Sequence, residues 1–378
     1  MKIKPFGVEM WMNEFENHCD FNLAETCVAS LTVDQLLELS GKNANVLDDL
    51  RPMKLTYGAI EGSDRLRDAI CTLYEHQARQ SVIVAHGAIG ANALVHETLV
   101  EPGDHVISVQ PTYQQHYSIP ESYGAEVDIL HLRPENLFLP DLDEFAELVR
   151  PETKLIAINN PNNPTGSLMD KAFLEKFVEI AGKSEAYILC DEVYRGTAQE
   201  GDGFSPAIVD LYPRGISVQS MSKTFSLAGL RLGWIVASPE IIEAVAIHRD
   251  YNTISVGMLD DYFATLALEN KDRILQRSQD ITRGNLQILD EWVNAERSVS
   301  YIRPKAGTTA LLKYDFDMPS RDLCVQLLKE TGVMFTPGSA LHIEGWVRIG
   351  YANNPDILKA GLEKVSAFFK QLRETNQN

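Results

Sequence analysis

The sequence predicts an α/β protein, a mostly parallel seven-stranded sheet with helices on both faces, joined to a smaller α+β domain. Three observations predict it. Short β-branched runs alternate with stretches of helical period between Ser81 and Ala237, the signature of βαβ units. After Pro239 the pattern changes to long helical segments and then, near Val299, to a mixed region. A length of 378 residues with 44% hydrophobic residues exceeds one typical domain and is ample for buried cores.

Taken in order, seven runs read as strands: Val82 to Ala85, His105 to Val109, Glu126 to Leu130, Leu155 to Ile158, Tyr187 to Cys190, Ile216 to Gln219 and Trp234 to Ala237. Between them, Ala91, Leu94, Val95 and Leu99 form one helical stripe, and Asp141 with Glu144 has capping-box spacing at the start of a helix through Val149. Helical segments then run to about Glu269 and from Lys271 to Val293. The tail offers strands near Thr308 to Tyr314 and Trp346 to Ile349, and helices near Ser320 to Thr331 and Pro355 to Leu372. The expected division is a large domain over residues 45–285 and a small domain made of 1–44 with 286–378. No repeat, low-complexity tract or Gly/Ser linker separates them, so they should be closely joined.

The 34 basic and 53 acidic residues give a net charge of −19, which repels nucleic acid phosphates and anionic membrane surfaces, so neither is an expected partner. Five cysteines (Cys19, Cys27, Cys71, Cys190, Cys324) are odd in number, scattered and without a CxxC pair, which predicts a reducing compartment and no metal site. Met1 to Asp20 lacks the pattern of a signal peptide, and no stretch reaches the about 20 apolar residues of a membrane helix. A cytoplasmic protein is expected.

In open parallel sheets, ligands sit beyond the carboxyl ends of the strands, where loops and helix N-termini meet. The unusual residues obey that rule: Gly87-Ala88-Ile89 after the first run, Pro111-Thr112-Tyr113 after the second, Asn159 to Gly166 after the fourth, Asp191 to Tyr194 after the fifth and Ser220 to Lys223 after the sixth. Each has a plain reading alone. Lys223 could be a loop lysine, Asp191 a cap, Tyr113 a core aromatic, Arg348 a sheet-edge ion-pair partner, and the Asn/Pro/Gly run a turn. Joint placement on one sheet edge is harder to obtain from folding constraints.

The stretch SMSKTFSLAGLRLGW, Ser220 to Trp234, resembles the cofactor-lysine motif of the fold type I, class I and II aminotransferases, which use pyridoxal 5′-phosphate (PLP). The resemblance implies that Lys223 forms a Schiff base with the cofactor aldehyde, and burial beside cationic groups would lower its pKa. Ser220, Ser222 and Arg231, with the helix N-terminus at Gly87, Ala88 and Ile89, would hold the phosphate. Asp191 would pair with the ring nitrogen, Tyr194 and Asn163 of the NPxNPTG-like loop would donate to the ring's phenolic oxygen, and Tyr113 would stack on the ring. Tyr57, in the YxxxxGxxxLR-like segment Tyr57 to Arg67, would reach the phosphate of a second subunit, which implies a homodimer with shared sites. Arg348 would grip the substrate α-carboxylate. The expected catalytic residues are Lys223, Asp191 and Tyr194, and the expected reaction transfers an amino group between an L-amino acid and a 2-keto acid.

The likeness frays at the N-terminus, where many family members carry Gly-x-Pro and this chain reads Asn22-Leu23-Ala24-Glu25-Thr26-Cys27. That stretch and Arg249-Asp250-Tyr251 loosely resemble PLP enzymes of capreomycidine-synthase type, which cyclise an arginine derivative. Glu25 is thus a candidate for the substrate side chain, favouring a basic amino acid, against the plain reading of a solvated carboxylate. A lyase or cyclase, of that type or of C–S lyase type, would use the same Lys223, Asp191 and Tyr194, so the alternative stays open. A non-catalytic ligand sensor fused to a DNA-binding module finds no basic recognition helix ahead of Tyr57, and a nicotinamide-dependent dehydrogenase finds no GxGxxG.

Overall fold

The computed structural model describes residues 2–42 and 45–376. The N-terminal segment contributes α1 (Gly7–Phe15), β1 (Phe21–Asn22), α2 (Val33–Ser40), α3 (Val46–Leu50) and α4 (Asp64–Cys71). The central region runs β2 (Val82–Ala85), α5 (Gly87–Leu99), β3 (His105–Gln110), α6 (Gln115–Tyr123), β4 (Glu126–His131), α7 (Leu142–Leu148), β5 (Thr153–Asn159), α8 (Lys171–Ala181), β6 (Tyr187–Asp191), α9 (Ile208–Leu211), β7 (Gly215–Ser220) and β8 (Gly233–Val236). Helices α10 (Pro239–Asp250), α11 (Met258–Glu269) and α12 (Lys271–Ala295) follow. The tail holds β9 (Val299–Tyr301), β10 (Thr309–Tyr314), α13 (Ser320–Thr331), β11 (Val333–Met334), β12 (Thr336–Pro337), β13 (Trp346–Gly350) and α14 (Pro355–Asn376).

Seven strands form one sheet in the order β2-β8-β7-β6-β5-β3-β4. All are mutually parallel except β8, which runs antiparallel to both β2 and β7. Central strands are buried on both faces, which is why they appear in the sequence as near-continuous apolar runs. Separate apolar clusters cover them, with α5 and α10 on one side and α7 and α8 on the other.

A four-stranded antiparallel sheet, β12-β13-β10-β9, forms the second layer with α12, α13 and α14. Trp11, Leu23 and Ala24 of the N-terminal segment enter its core, and β1 pairs in parallel with β11. Trp11 Nε1 donates to the Phe335 carbonyl at 2.9 Å, which fixes α1 on that layer. Helix α2 behaves differently: Leu36 and Leu37 pack with α4 and α11 beside the large sheet. The expected domain junction at residue 44 lies outside the described residues.

Two expectations need correction. The helical stretch to Glu269 is two helices, because the chain turns at Tyr251 to Gly257 and Gly257 caps a new start. Asp141 caps α7 by accepting from the backbone N–H groups of Asp143 and Glu144, but the Glu144 side chain pairs with Arg133 and does not close the box. Among the described residues no helix is long and apolar enough to cross a membrane.

Candidate active site

Connections leaving the carboxyl ends of β2, β3, β5, β6 and β7, together with β13 and the N-terminal segment, wall a cavity of about 300 Å³. Lys223, half-buried at the exit of β7, donates from Nζ to Thr26 Oγ1 at 2.6 Å and contacts Cys27 Sγ at 3.6 Å. Burial alone pulls its amine down, but Cys27, Tyr194 and Glu25 outweigh that and hold it above the ordinary lysine range, with Arg348 pulling the other way. This reverses the lowered pKa expected from the sequence, because the neighbours are acidic groups. Burial pushes the Cys27 thiol up to about 11, so at neutral pH Glu25 is the anion facing the amine.

Asp191 ends β6 and is 5% exposed. Its Oδ2 accepts from Asn92 Nδ2 at 2.8 Å and stands 3.7 Å from His116 Nε2, while Oδ1 accepts from the backbone N–H of Val193. No arginine or lysine neutralises this carboxylate among the described residues. A buried carboxyl group without a lysine or arginine partner leaves room for a cationic group of a ligand in the cavity.

Arg348, on β13 and 2% exposed, donates to Asn163 Oδ1 at 3.2 Å and to the Ala24 carbonyl and Thr336 Oγ1 at 3.0 Å. Its Nε has no partner, and no carboxylate meets the guanidinium at ion-pair distance among the described residues. With its oxygen taken by Arg348, the group that Asn163 offers the cavity is its NH2. Asn163 is itself positioned by its backbone N–H, which donates to Asn159 Oδ1 at 2.7 Å. Tyr194 is buried beside them.

At the other end, Ala88 and Ile89 of the first turn of α5 meet Ser220, Ser222 and Arg231. Gly87 has φ +69, and a Cβ there would come within 3.0 Å of Arg231 Nη2. A Cβ on Gly233 would sit 2.7 Å from the Ala88 nitrogen. Both glycines therefore let a cationic side chain and a strand close on a helix N-terminus whose N–H groups have no helical partner.

Tyr113 borders the cavity, and its hydroxyl donates to Glu9 Oε1 at 2.7 Å. Glu25 also borders it, with Oε1 accepting from the backbone N–H groups of Thr26 and Cys27 at 2.7 and 2.9 Å. Those bonds and Lys223 hold its carboxyl below the ordinary range despite burial. Tyr57 does not border the cavity; it is 76% exposed beside the exposed Leu55. Arg249 is buried behind β2, donating to the Val84 carbonyl, and Tyr251 is exposed, so that stretch is no part of the wall.

Sequence reading missed Asn92, His116, Thr26 and the α1 residues Val8, Glu9 and Met12 with Glu16 beyond them. Asn92 had a signal, a polar side chain adjoining the apolar stripe of α5 where a buried amide needs a partner. The α1 residues had none, since a mixed face of glutamate and methionine reads as solvated surface.

A family model described as aminotransferase class I and II matches residues 42–365. A solved structure of a PLP-dependent aminotransferase from Streptococcus suis 89-1591 superposes with a TM-score of 0.95 at 45% identity, covering 98% of this chain and 99% of that one. Capreomycidine synthase from Streptomyces vinaceus is 28% identical over 360 residues, 95% of this chain and 92% of that protein. Aspartate/prephenate aminotransferase from Thermus thermophilus is 27% identical over 319 residues, 82% of each chain.

Proposed function

This chain belongs to the class I and II aminotransferase family, and from that premise we propose that Lys223 is the residue through which it moves an amino group between an L-amino acid and a 2-keto acid. It is a PLP-dependent aminotransferase. The observation that carries the assignment of residues is the meeting, in one cavity, of a lysine amine, a buried aspartate with only neutral hydrogen-bond donors, and a buried arginine without a carboxylate. Each lacks a partner of a kind that PLP and an amino acid would bring: a ring nitrogen for Asp191, an α-carboxylate for Arg348, and an aldehyde carbon for Lys223. The first turn of α5 with Ser220, Ser222 and Arg231 has the donor chemistry of a phosphate cradle, which supports the same reading.

PLP supplies an aldehyde carbon that an amine can join and a ring that takes up electrons released at the substrate Cα. With PLP bound, Asp191 would face the ring nitrogen and hold a proton there, and Tyr194 Oη with Asn163 Nδ2 would donate to the ring's phenolic oxygen. Arg348 orients the substrate by its α-carboxylate, and its bonds to Asn163, Ala24 and Thr336 keep the guanidinium from following the ligand. Lys223 Nζ, as a free amine, would be the base that takes the substrate α-proton and the group that returns it. Because Glu25 favours the ammonium form, Nζ must first release a proton, and Thr26 Oγ1 at 2.6 Å is the group that accepts a hydrogen bond from it. Tyr113 would stack on the ring.

We further infer a cytoplasmic homodimer, supported by the exposure of Tyr57, Leu55 and Ile60 on one segment, with Tyr57 serving the partner's phosphate. The large unit 45–285 and the small unit 1–44 with 286–378 stand as a proposal, and the packing of α2 on α11 supports giving α2 to the large unit. A cyclase reading has support in the 95% of this chain spanned by capreomycidine synthase. Release of ammonia or of a cyclic amino acid, with no keto acid consumed, would replace transfer by that reading.

The test is reduction of PLP-loaded protein with borohydride followed by peptide mass mapping. A pyridoxyl adduct is expected at Lys223 and nowhere else, and Lys223→Ala should lose the adduct together with about 10⁴-fold of the transfer rate. An adduct at another lysine overturns the assignment.

A further inference from the structure

Part of the cavity wall is acidic. Glu9, Glu16 and Glu25 all border the cavity, and Val8, Glu9, Met12 and Glu16 recur at the spacing of one helical face, running from α1 into the short 3-10 turn after it. None of the three glutamates forms an ion pair with lysine or arginine among the described residues: Glu9 accepts from Tyr113, Glu16 lies 3.5 Å from Asn22 Nδ2, and Glu25 accepts from backbone N–H groups. Burial and the repulsion of Glu25 and Glu9 raise the Glu16 carboxyl, so the three share one field. Independently, Arg348 is a buried cation without a carboxylate in the same cavity.

On the reading of Arg348 as the α-carboxylate's partner, we propose that the amino donor carries a cationic side chain, its methylenes lying along Val8 and Met12 and its positive end meeting Glu9, Glu16 and Glu25. Among the described residues the cations lining the cavity are three, Lys223, Arg231 and Arg348. Under the function proposed above all three are engaged with cofactor or α-carboxylate. A dicarboxylic amino acid would then set its second carboxylate against three others with no free cation to offset them, whereas an ammonium or guanidinium group finds three acceptors. Several carboxylates around one cation also exceed what a single weak surface pair would supply. The feature thus separates this cavity from one suited to aspartate.

The test compares near-isosteric pairs on PLP-loaded enzyme: L-arginine with L-citrulline and L-ornithine with L-norvaline, plus L-aspartate. Two quantities are read, kcat/KM for amino transfer and the Kd of α-methyl ornithine and α-methyl norvaline, which bind without an α-proton to lose, followed by cofactor absorbance. The cationic member of each pair should lead by about tenfold or more in both, with aspartate weakest. Glu16 makes no other close bond, so Glu16→Gln should fold normally and shrink the arginine-to-citrulline ratio by several-fold. Glu25→Gln provides a second variant.

Preference for citrulline or aspartate, or a ratio unmoved in both variants, overturns the proposal. Failure of the function itself would look different: no adduct at Lys223 and no absorbance change with any amino acid. An adduct with aspartate preferred would sink only the substrate class.

Discussion

The cavity has a floor and a roof built on different rules. The floor is the carboxyl edge of the large sheet, where each strand delivers its terminal residues to one line: Asp191 and Asn159 are paired in register across β5 and β6, and Ser220 closes the neighbouring strand. The roof is α1, the short turn after it and the Glu25 to Cys27 stretch, held by Trp11 in the core of the other layer and by β1 against β11. Floor residues are fixed by hydrogen-bond ladders, whereas roof residues depend on the packing of two layers. Under the proposed assignment the difference teaches where generality ends: the floor would carry chemistry any amino acid needs, and the roof the groups able to distinguish one side chain from another.

The largest expected effect breaks the comparison from the floor. Asp191→Asn keeps the shape and the contact with Asn92 but removes the anion, so kcat should fall by about a thousandfold while the preference among side chains is unchanged. Measuring kcat for two donors of different charge checks both halves. If side-chain preference changed as much as rate, floor and roof would not be separable.

Legibility followed the same division. The seven strands are readable because burial on both faces forces apolar runs, and the loops after them are readable because Gly87, Asn163, Asp191 and Lys223 break those runs at the same end. Strand direction was not readable: β8 is short and apolar like its neighbours, and its antiparallel course is set by the tight return through Arg231, whose φ is +48. The roof was unreadable for a stricter reason. Glu9 and Glu16 are part of a wall only because Trp11 and Leu23 dock on a layer more than 300 residues further along the chain, and no local pattern encodes that docking. Glu25 drew notice only as a departure from a family pattern.

A middle-sized effect tests how rigid the floor is. Glu192, next to Asp191 but pointing away from the cavity, is buried, and its Oε1 accepts from the Ile208 N–H and the Ser217 hydroxyl. Burial pushes its carboxyl up to about 7 from an ordinary 4.5, although Arg195 and those two donors pull it down. Between about 4.5 and 7 the folded chain holds a proton that the unfolded chain has released. Stability therefore declines as pH rises through that window, by about 3 kcal/mol in all, and is level in this respect above it. Thermal unfolding of wild type and Glu192→Gln across pH 4.5 to 8 checks this, with the variant expected to lose that part of the decline. Equal slopes would mean that the sheet edge relaxes enough to hydrate the acid.

The smallest effect lies where floor and roof touch. Tyr113 leaves β3 on the floor side, and its hydroxyl donates to Glu9 Oε1 on the roof at 2.7 Å, so one hydrogen bond joins the ring proposed to stack on the cofactor to the carboxylate proposed to face the substrate side chain. Tyr113→Phe preserves the ring and deletes only that bond, whose acceptor is a carboxylate worth about 1.5 kcal/mol or somewhat more. The Glu9 carboxylate would then be free to swing. KM for a cationic donor should rise about tenfold with kcat nearly constant, since the ring's stacking face is untouched and only ground-state placement of the side chain is loosened. For an uncharged donor of the same length KM should hardly move, because Glu9 offers it no charge to lose. A fall in kcat with KM unchanged would instead assign the Tyr113 hydroxyl to the floor, acting on the proton transfers at Lys223, and would move the border between the two regions to the far side of Glu9.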